Sequence, residues 1–183
     1  MNSFLDDLYR RGAEHDAAEP DRRRHLSNLD PATAELLATV VRIARARDVV
    51  EIGTGNGWSA IWLAQGARDT GGHVTTVDVE EWPGVAGNLS AAGVSVERVI
   101  ADGGAYLAGR ADAEIDLLFL DAEHTRYAGW WPHPARVLRP GGVLVVDDPD
   151  AAADFLALAE ESFIGGTAAV GKGLYLGWLK PRL

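Results

Sequence analysis

Apolar positions along the chain change their period several times, and these changes predict alternating helices and strands. After Asp30 and Pro31, which supply an N-cap and a first-turn proline, apolar residues recur at helical spacing up to Ala44. From position 49 onward, short apolar or β-branched runs alternate with helical segments. The predicted strands are Val49–Ile52, His73–Val77, Ser95–Ala101, Ile115–Leu120, Val143–Val146 and Gly173–Leu179; the later predicted helices are Ser59–Ala67, Val85–Ala92, Thr125–Leu138 with an interruption near Pro132 and Pro134, and Ala151–Glu161.

This alternation predicts an α/β fold: a single Rossmann-like, doubly wound, mostly parallel sheet with helices on both faces and an antiparallel last strand. Ligands of such sheets bind outside the carboxyl ends of the strands. Residues 1–29 are charged and irregular, and they are expected to form an N-terminal arm, either loosely docked or folded over a ligand as a lid. Residues 30–183 are expected to form the ligand-binding domain.

Composition and charge disfavour several classes of binding partner and of metal site. Twenty-seven acidic against 17 basic residues give a net charge of −10, which disfavours nucleic acid and anionic membranes. The chain has no cysteine, which excludes disulfides and thiolate metal sites. Neither a basic leader nor an apolar run long enough to span a membrane is present, and a cytoplasmic location is expected.

A glycine-rich run follows the first predicted strand. Gly53, Gly55 and Gly57 stand at alternate positions, as expected where the chain turns sharply or lies against a ligand. Trp58 occupies the position where a dinucleotide fingerprint needs Gly or Ala, and no lysine follows as in a P-loop. The remaining pattern, E-x-G-x-G-x-G, resembles the first motif of class I S-adenosylmethionine-dependent methyltransferases. The residues expected to bind this cofactor are Glu51, Gly53, Thr54, Gly55, Gly57 and Ser59.

Acidic residues stand at or just past the ends of four further strands. Asp78 lies about 25 residues after the glycines, a spacing that suits hydrogen bonds from ribose hydroxyls, and Val79 offers an apolar surface to adenine. Asp102 is expected to accept from the adenine amino group, with Gly103 permitting close approach. Together these residues describe an adenosyl ligand that carries a carboxylate rather than a phosphate.

The ends of the fourth and fifth predicted strands are expected to bring three carboxylates together. Asp121 is expected to lie at the cofactor's edge beside Asp147 and Asp148. Such crowding is unfavourable unless a cation neutralises it, and oxygen ligands suit Mg²⁺, or else Ca²⁺ or Mn²⁺.

From about Asp30 to Lys180 the chain resembles the cation-dependent O-methyltransferases of the catechol and caffeoyl-CoA type. The strings that carry the resemblance are Glu51-Ile52-Gly53 through Ser59, Thr76-Val77-Asp78, Phe119-Leu120-Asp121, Leu138-Arg139-Pro140-Gly141-Gly142, Val146-Asp147-Asp148 and Gly173-Leu174-Tyr175-Leu176. The resemblance implies metal ligation by Asp121, Asp147 and Asp148, with the metal holding a deprotonated hydroxyl beside the sulfonium methyl. It also implies a homodimer.

Two residues depart from that family's pattern. Asp148 stands where the family usually has Asn, and His124 stands where it commonly has a catalytic lysine. His124 is expected to act with Asp121 in catalysis, as a general base or as a further metal ligand, and its alternative is a structural role beside the cofactor.

The leading hypothesis is metal-assisted transfer of a methyl group from S-adenosylmethionine to a small-molecule hydroxyl. A metal-independent N- or O-methyltransferase and a non-catalytic module that binds an adenosyl ligand are the alternatives.

Overall fold

The computed structural model describes residues 3–181, which form one seven-stranded sheet between two layers of helices. Its strands are β1 Asp48–Ile52, β2 His73–Asp78, β3 Glu97–Ile100, β4 Ile115–Leu120, β5 Leu138–Asp147, β6 Phe163–Ala168 and β7 Leu174–Leu179. Its helices are α1 Ser3–Ala18, α2 Pro31–Ala44, α3 Trp58–Thr70, α4 Val85–Ala91, α5 Gly103–Gly109, α6 His133–Val137 and α7 Ala153–Ala159.

The strand order is β3-β2-β1-β4-β5-β7-β6, and β7 runs antiparallel to both of its neighbours. The order reverses direction between β1 and β4, which pair in parallel. The crevice at such a reversal is where doubly wound sheets bind their ligands. The predicted fold class, including the antiparallel last strand, is therefore confirmed.

Successive strand residues point to opposite faces of the sheet and separate the core into two clusters. Val49 and Phe119 belong to the cluster covered by α1 to α4, whereas Val50 and Leu120 belong to the cluster covered by α5, α6 and α7. Helices on both faces explain why residues on either face of the central strands β1 and β4 are buried.

The N-terminal arm packs on the first of these clusters. Leu5 and Leu8 of α1 are buried, and the ring of Tyr9 lies 5.4 Å from that of Trp58. The arm is thus docked on the domain through apolar contacts.

Three elements differ from the sequence-based expectation. Segment 125–138 is a 3-10 turn at His124–Trp130 followed by the short α6, because Pro132 and Pro134 have no N–H to donate to a continuous helix. Helix α5 and strand β6 were not predicted. Helix α5 contains three glycines and strand β6 contains two, and glycine weakens helical and strand patterns alike.

None of the helices within residues 3–181 combines the length and apolar character that crossing a membrane requires.

Candidate active site at the carboxyl ends of the strands

A cavity of about 480 Å³ opens at the carboxyl ends of the parallel strands. Its size falls in the range of small-molecule sites. Among the predicted site residues, those that line it are Gly53, Thr54, Gly55, Ser59, Asp78, Val79, Asp102, Gly103, Asp121, His124 and Asp147. Glu51, Gly57 and Asp148 are not part of its wall.

Gly53 brings the ends of β1 and β4 into contact. Its φ is 110°, and an ideal Cβ at this position would lie 1.9 Å from the carbonyl oxygen of Asp121. The Asp121 amide donates to the Ile52 carbonyl at 2.9 Å. Only glycine permits this approach, which places Asp121 beside the glycine loop.

Gly57 joins the glycine loop to helix α3. It is the N-cap of α3 with φ of 85°, and an added Cβ would meet Val85 at 3.2 Å. The first turn of α3 then presents Ser59 to the cavity, where the helix N-terminus favours negative charge.

Asp78 is held by the glycine loop on one oxygen only. Its Oδ2 accepts from the amides of Thr54 at 2.9 Å and Gly55 at 3.2 Å. Among the residues that the structure describes, its Oδ1 has only a long contact of 3.5 Å with the Glu80 amide. Beside it, Val79 is 61% exposed and lines the cavity. Asp78 thus keeps one carboxylate oxygen available to a ligand.

Asp102 has both carboxylate oxygens engaged. Oδ1 caps α5 through the Ala105 amide at 2.9 Å, and Oδ2 pairs with the Arg126 guanidinium at 2.6 Å. Gly103 lines the cavity as expected, and its contact with a ligand stays a prediction. Gly103 and Gly104 also make room for Trp130, whose ring atoms would lie 3.0 Å and 2.4 Å from a Cβ at these positions.

Glu51 lies beneath the glycine loop, fully buried. Thr76 donates to its Oε2 at 2.6 Å, and the Thr76 and Thr54 hydroxyls are 2.7 Å apart. Burial raises the pKa of Glu51 to about 7, although contacts with the Ser59 and Thr76 hydroxyls counteract part of the increase. Glu51 therefore acts on a ligand only through the loop that it supports.

Asp121, which is half-buried, and Asp147, which is buried, form a carboxylate pair in the cavity wall. Burial and the charge of Asp147 raise the pKa of Asp121 well above its usual value. Burial also raises the pKa of Asp147, whereas the charges of Lys172 and His124 oppose that rise. The pair needs a nearby cation to remain fully ionised.

The predicted metal ligands do not come together as a set of three. Asp148 has φ of 47°, donates its amide to the Gly173 carbonyl at 3.3 Å, and is absent from the cavity wall. Within residues 3–181, no cluster of three or more histidine, aspartate or glutamate side chains is placed to hold a metal ion. This donor set does not fit the implied cation, and the metal prediction is not confirmed.

His124 is oriented by the backbone of the neighbouring strand. Its Nε2 lies 3.0 Å from the carbonyl oxygen of Asp147. Because a carbonyl can only accept, Nε2 carries the proton of the neutral ring and Nδ1 keeps its lone pair. The ring also packs against Tyr127, whose hydroxyl bonds to both the N–H and the carbonyl of Ala122. His124 is thus prepared to accept a proton at Nδ1.

The arm closes one side of the cavity through the segment 22–29, whose residues Arg22, Arg23 and His25 to Leu29 line the wall. Asp16 of α1 accepts from the amides of Leu26 at 2.6 Å and Ser27 at 2.8 Å. The indole of Trp58 donates to the Leu29 carbonyl at 2.9 Å. The tryptophan that argued against a dinucleotide site therefore joins the arm to the glycine loop.

Sequence reasoning missed Lys172 as a residue of the site. It lines the cavity near Asp121 and Asp147, on the turn before β7. A signal was present: only two of the 17 basic residues are lysines, and this one stands between two glycines. Three further residues were not assigned to the site: Asp16, Arg126 and Trp130. Their contacts join segments that are distant in sequence, and no sequence pattern predicts such contacts.

Comparison with known proteins assigns the chain to a family. Residues 50–149, from the first strand to just beyond the fifth, match the family described as a methyltransferase domain. This segment contains all the strand ends that form the cavity, apart from the turn before β7.

Individual relatives agree with that assignment. A protein of Mycolicibacterium vanbaalenii, provisionally named an O-methyltransferase, is 40% identical over 123 residues, which are 64% of this chain and 54% of the relative. The chain therefore spans only about half the length of such curated relatives. The structure of cofactor-bound Rv0187 from MTB is 30% identical, with a TM-score of 0.74 and coverage of 96% of this chain and 90% of that one. The O-methyltransferase of Bacillus cereus in complex with SAH shares the fold at 23% identity and a TM-score of 0.77, covering 98% and 92% of the two chains. This chain belongs to the methyltransferase domain family.

Proposed function

We propose that the protein is an S-adenosylmethionine-dependent methyltransferase that methylates a hydroxyl oxygen of a small molecule. The single observation that carries the proposal is the row of polar groups along the sheet edge, from Asp102 and Asp78 through Gly53 to Asp121 and Asp147, all facing one cavity. This row provides acceptors for an adenosyl group at one end and a chemically distinct carboxylate pair at the other.

The cofactor's adenosine is assigned to the end formed by β2 and β3. Asp78 Oδ1 accepts from the ribose hydroxyls, since Oδ2 is already held by the loop amides. Val79 supplies an apolar contact for adenine. Asp102 contributes to the adenine edge while it remains paired with Arg126.

The methionine part extends across the glycine loop toward β4. Its carboxylate is placed at the N-terminus of α3, near Ser59. This places the sulfonium near Asp121, whose carboxylate favours a positive charge.

Methyl transfer then needs an acceptor oxygen in line with the methyl–sulfur bond and a base for its proton. His124 takes the hydroxyl proton at Nδ1, since Nε2 is held by the Asp147 carbonyl. The acceptor oxygen forms a bond to the methyl carbon, the carbon–sulfur bond breaks, and its electron pair stays on sulfur. The protein contributes mainly by positioning the two reactants.

The relatives support this chemistry. The structure of Rv0187 is cofactor-bound, and the Bacillus cereus protein is an O-methyltransferase in complex with SAH. The Mycolicibacterium vanbaalenii relative is provisionally named an O-methyltransferase.

Two finer features belong to the proposal. The arm acts as a lid, because segment 22–29 covers the cavity and is tied to the glycine loop through Trp58. The protein forms a homodimer, which light scattering would test. The resemblance also implies divalent-metal assistance, but the proposal does not include it, because Asp148 lies outside the cavity wall.

The proposal is tested by incubating the protein with S-adenosylmethionine labelled in the methyl group and a panel of phenols, catechols, enols and amines. Label in an ether product is the expected result. Label only in N-methyl products would contradict the choice of acceptor, and cofactor binding with no transfer to any acceptor would favour a non-catalytic binding module.

A further inference from the structure

Lys172 is the feature of the cavity that the proposed function leaves without a role. Within residues 3–181 its ammonium group has no ion-pair or hydrogen-bond partner at contact distance, although its charge acts on both Asp121 and Asp147. The other cations in the wall differ from it: Arg23 is paired with Asp21, Arg126 with Asp102, and Arg22 lies on the arm.

The strand order explains how Lys172 reaches the reacting end. Because β7 runs antiparallel to β5, Leu174 at its start is in register with Asp147 at the end of β5. Lys172 precedes Leu174 by two residues, so it lies at the edge of the sheet where the parallel strands end. It therefore continues the row of polar groups one strand beyond Asp147.

The turn that carries Lys172 is held on both sides. Gly171 has φ of 56°, and a Cβ there would lie 2.1 Å from Oδ2 of Asp30, the N-cap of α2. Gly173 has φ of 96°, accepts from the Asp148 amide at 3.3 Å, and packs against Pro149. Both glycines are needed for these contacts, and together they fix the backbone from which the lysine enters the cavity.

Methyl transfer requires a positive charge at the end of the cavity formed by Asp121 and Asp147. An acceptor hydroxyl that loses its proton becomes an anion beside the carboxylates of Asp121 and Asp147, and that arrangement is unfavourable without a positive charge. The three aspartates expected to hold a metal do not assemble, whereas Lys172 is present.

We propose that Lys172 is a catalytic cation of the methyl-transfer site, whose ammonium group pairs with the acceptor oxygen as that oxygen attacks the sulfonium methyl. The acceptor is consequently a hydroxyl that ionises readily, such as a phenol or an enol. The proton of that hydroxyl goes to His124 Nδ1, the oxygen–carbon bond forms, and the electron pair of the broken carbon–sulfur bond stays on sulfur. This inference rests on the proposed methyltransferase function.

The test exploits a charge difference between the cofactor and its product: S-adenosylmethionine carries a sulfonium cation, whereas S-adenosylhomocysteine is neutral at sulfur. A cation near the reacting centre weakens binding of the first relative to the second. In Lys172→Met, the ratio of the Kd for S-adenosylmethionine to the Kd for S-adenosylhomocysteine, measured by calorimetry, should fall about fivefold. The value of kcat on the best phenol or enol of the panel should fall about 100-fold, with partial recovery in Lys172→Arg.

The matched control is Lys180→Met. Lys180, the other lysine of the chain, donates to the carbonyls of Glu160 and Glu161 and takes no part in the cavity wall. This variant should keep both the wild-type Kd ratio and the wild-type kcat.

An unchanged Kd ratio in Lys172→Met, or a kcat close to that of the wild type, overturns the assignment of Lys172. Failure of the proposed function looks different, since the wild-type protein itself would then bind neither cofactor form; in that case the role of Lys172 fails with it. If the wild type binds both forms but methylates nothing in the panel, the Kd ratio alone decides.

Discussion

The imidazole Nε2 of His124 lies 3.0 Å from the backbone carbonyl oxygen of Asp147. This hydrogen bond joins the segment after β4 to the end of β5, the two strands whose ends carry the carboxylates of Asp121 and Asp147. It fixes the neutral tautomer, so that only Nδ1 can receive a proton. The sequence allowed His124 to be a base, a metal ligand or a structural residue, and we expect it to act as a base through Nδ1.

His124→Gln tests that role directly. The Gln amide N–H can still donate to the Asp147 carbonyl, but the side chain offers no basic nitrogen. We expect kcat to fall about 100-fold, in line with the loss of a general base, while the Kd for S-adenosylhomocysteine stays near the wild-type value. His73→Gln, at the start of β2 and far along the strand from the cavity, serves as the control. Equal activity in the two variants would rule out His124 as the base.

The contact between Gly53 and Asp121 predicts a large effect on folding. Gly53→Ala should destabilise the protein by about 3 kcal/mol or prevent its folding, because a positive φ and a backbone collision act together. Gly71→Ala separates the two effects. Gly71 has φ of 70°, and no atom of the described residues lies within 4 Å of the added Cβ. Gly71→Ala should therefore lower the free energy of unfolding by only about 1 kcal/mol. Urea denaturation followed by circular dichroism measures both, and similar losses in the two variants would contradict the collision.

The buried Glu51 predicts a pH dependence of stability. Its pKa rises from 4.5 to about 7 on folding, so between these values the folded protein binds a proton that the unfolded chain has lost. The free energy of unfolding therefore decreases as pH rises through that window. Glu51→Gln removes this contribution. The free energy of unfolding of the variant, relative to that of the wild type, should therefore increase by on the order of 1–3 kcal/mol from pH 5 to pH 8. Denaturant titrations at the two pH values provide the measurement. Parallel pH dependences of the two proteins would show that Glu51 is not responsible.

Chelation tests whether the carboxylates act through a metal. With Lys172 supplying positive charge and Asp148 outside the cavity wall, we expect turnover to persist in excess EDTA. Asp148→Asn should likewise retain activity. Loss of turnover on chelation, with recovery on adding Mg²⁺, would instead support the metal assistance implied by the catechol-type resemblance.

Strand patterning was sufficient to predict the doubly wound sheet, because β1, β2, β4 and β5 are rich in apolar or β-branched residues and a glycine or aspartate ends or follows each of them. The same reasoning predicted that Asp78, Asp121 and Asp147 would face one cavity. Strand ends are local features, and a parallel sheet brings them to the same edge.

Other parts of the site depend on contacts that a linear pattern does not contain. Asp148 has a positive φ just after the strand end and lies outside the cavity wall, which its residue type did not predict. Gly103 and Gly104 make room for Trp130, which is distant in sequence. Lys172 lies near Asp147 because β7 returns antiparallel beside β5.

Binding of S-adenosylhomocysteine, measured by calorimetry on the wild type and on Asp78→Ala, tests the central claim most directly. The account predicts one-to-one binding by the wild type, because Asp78 Oδ1 is available to the ribose hydroxyls while Oδ2 orders the glycine loop. Binding should be at least tenfold weaker in Asp78→Ala, about the loss expected for one charge-assisted hydrogen bond. Asp69→Ala, which removes an exposed carboxylate paired with Arg42, should bind as the wild type does. No binding by the wild type, or equal affinity in the wild type and Asp78→Ala, would contradict the account.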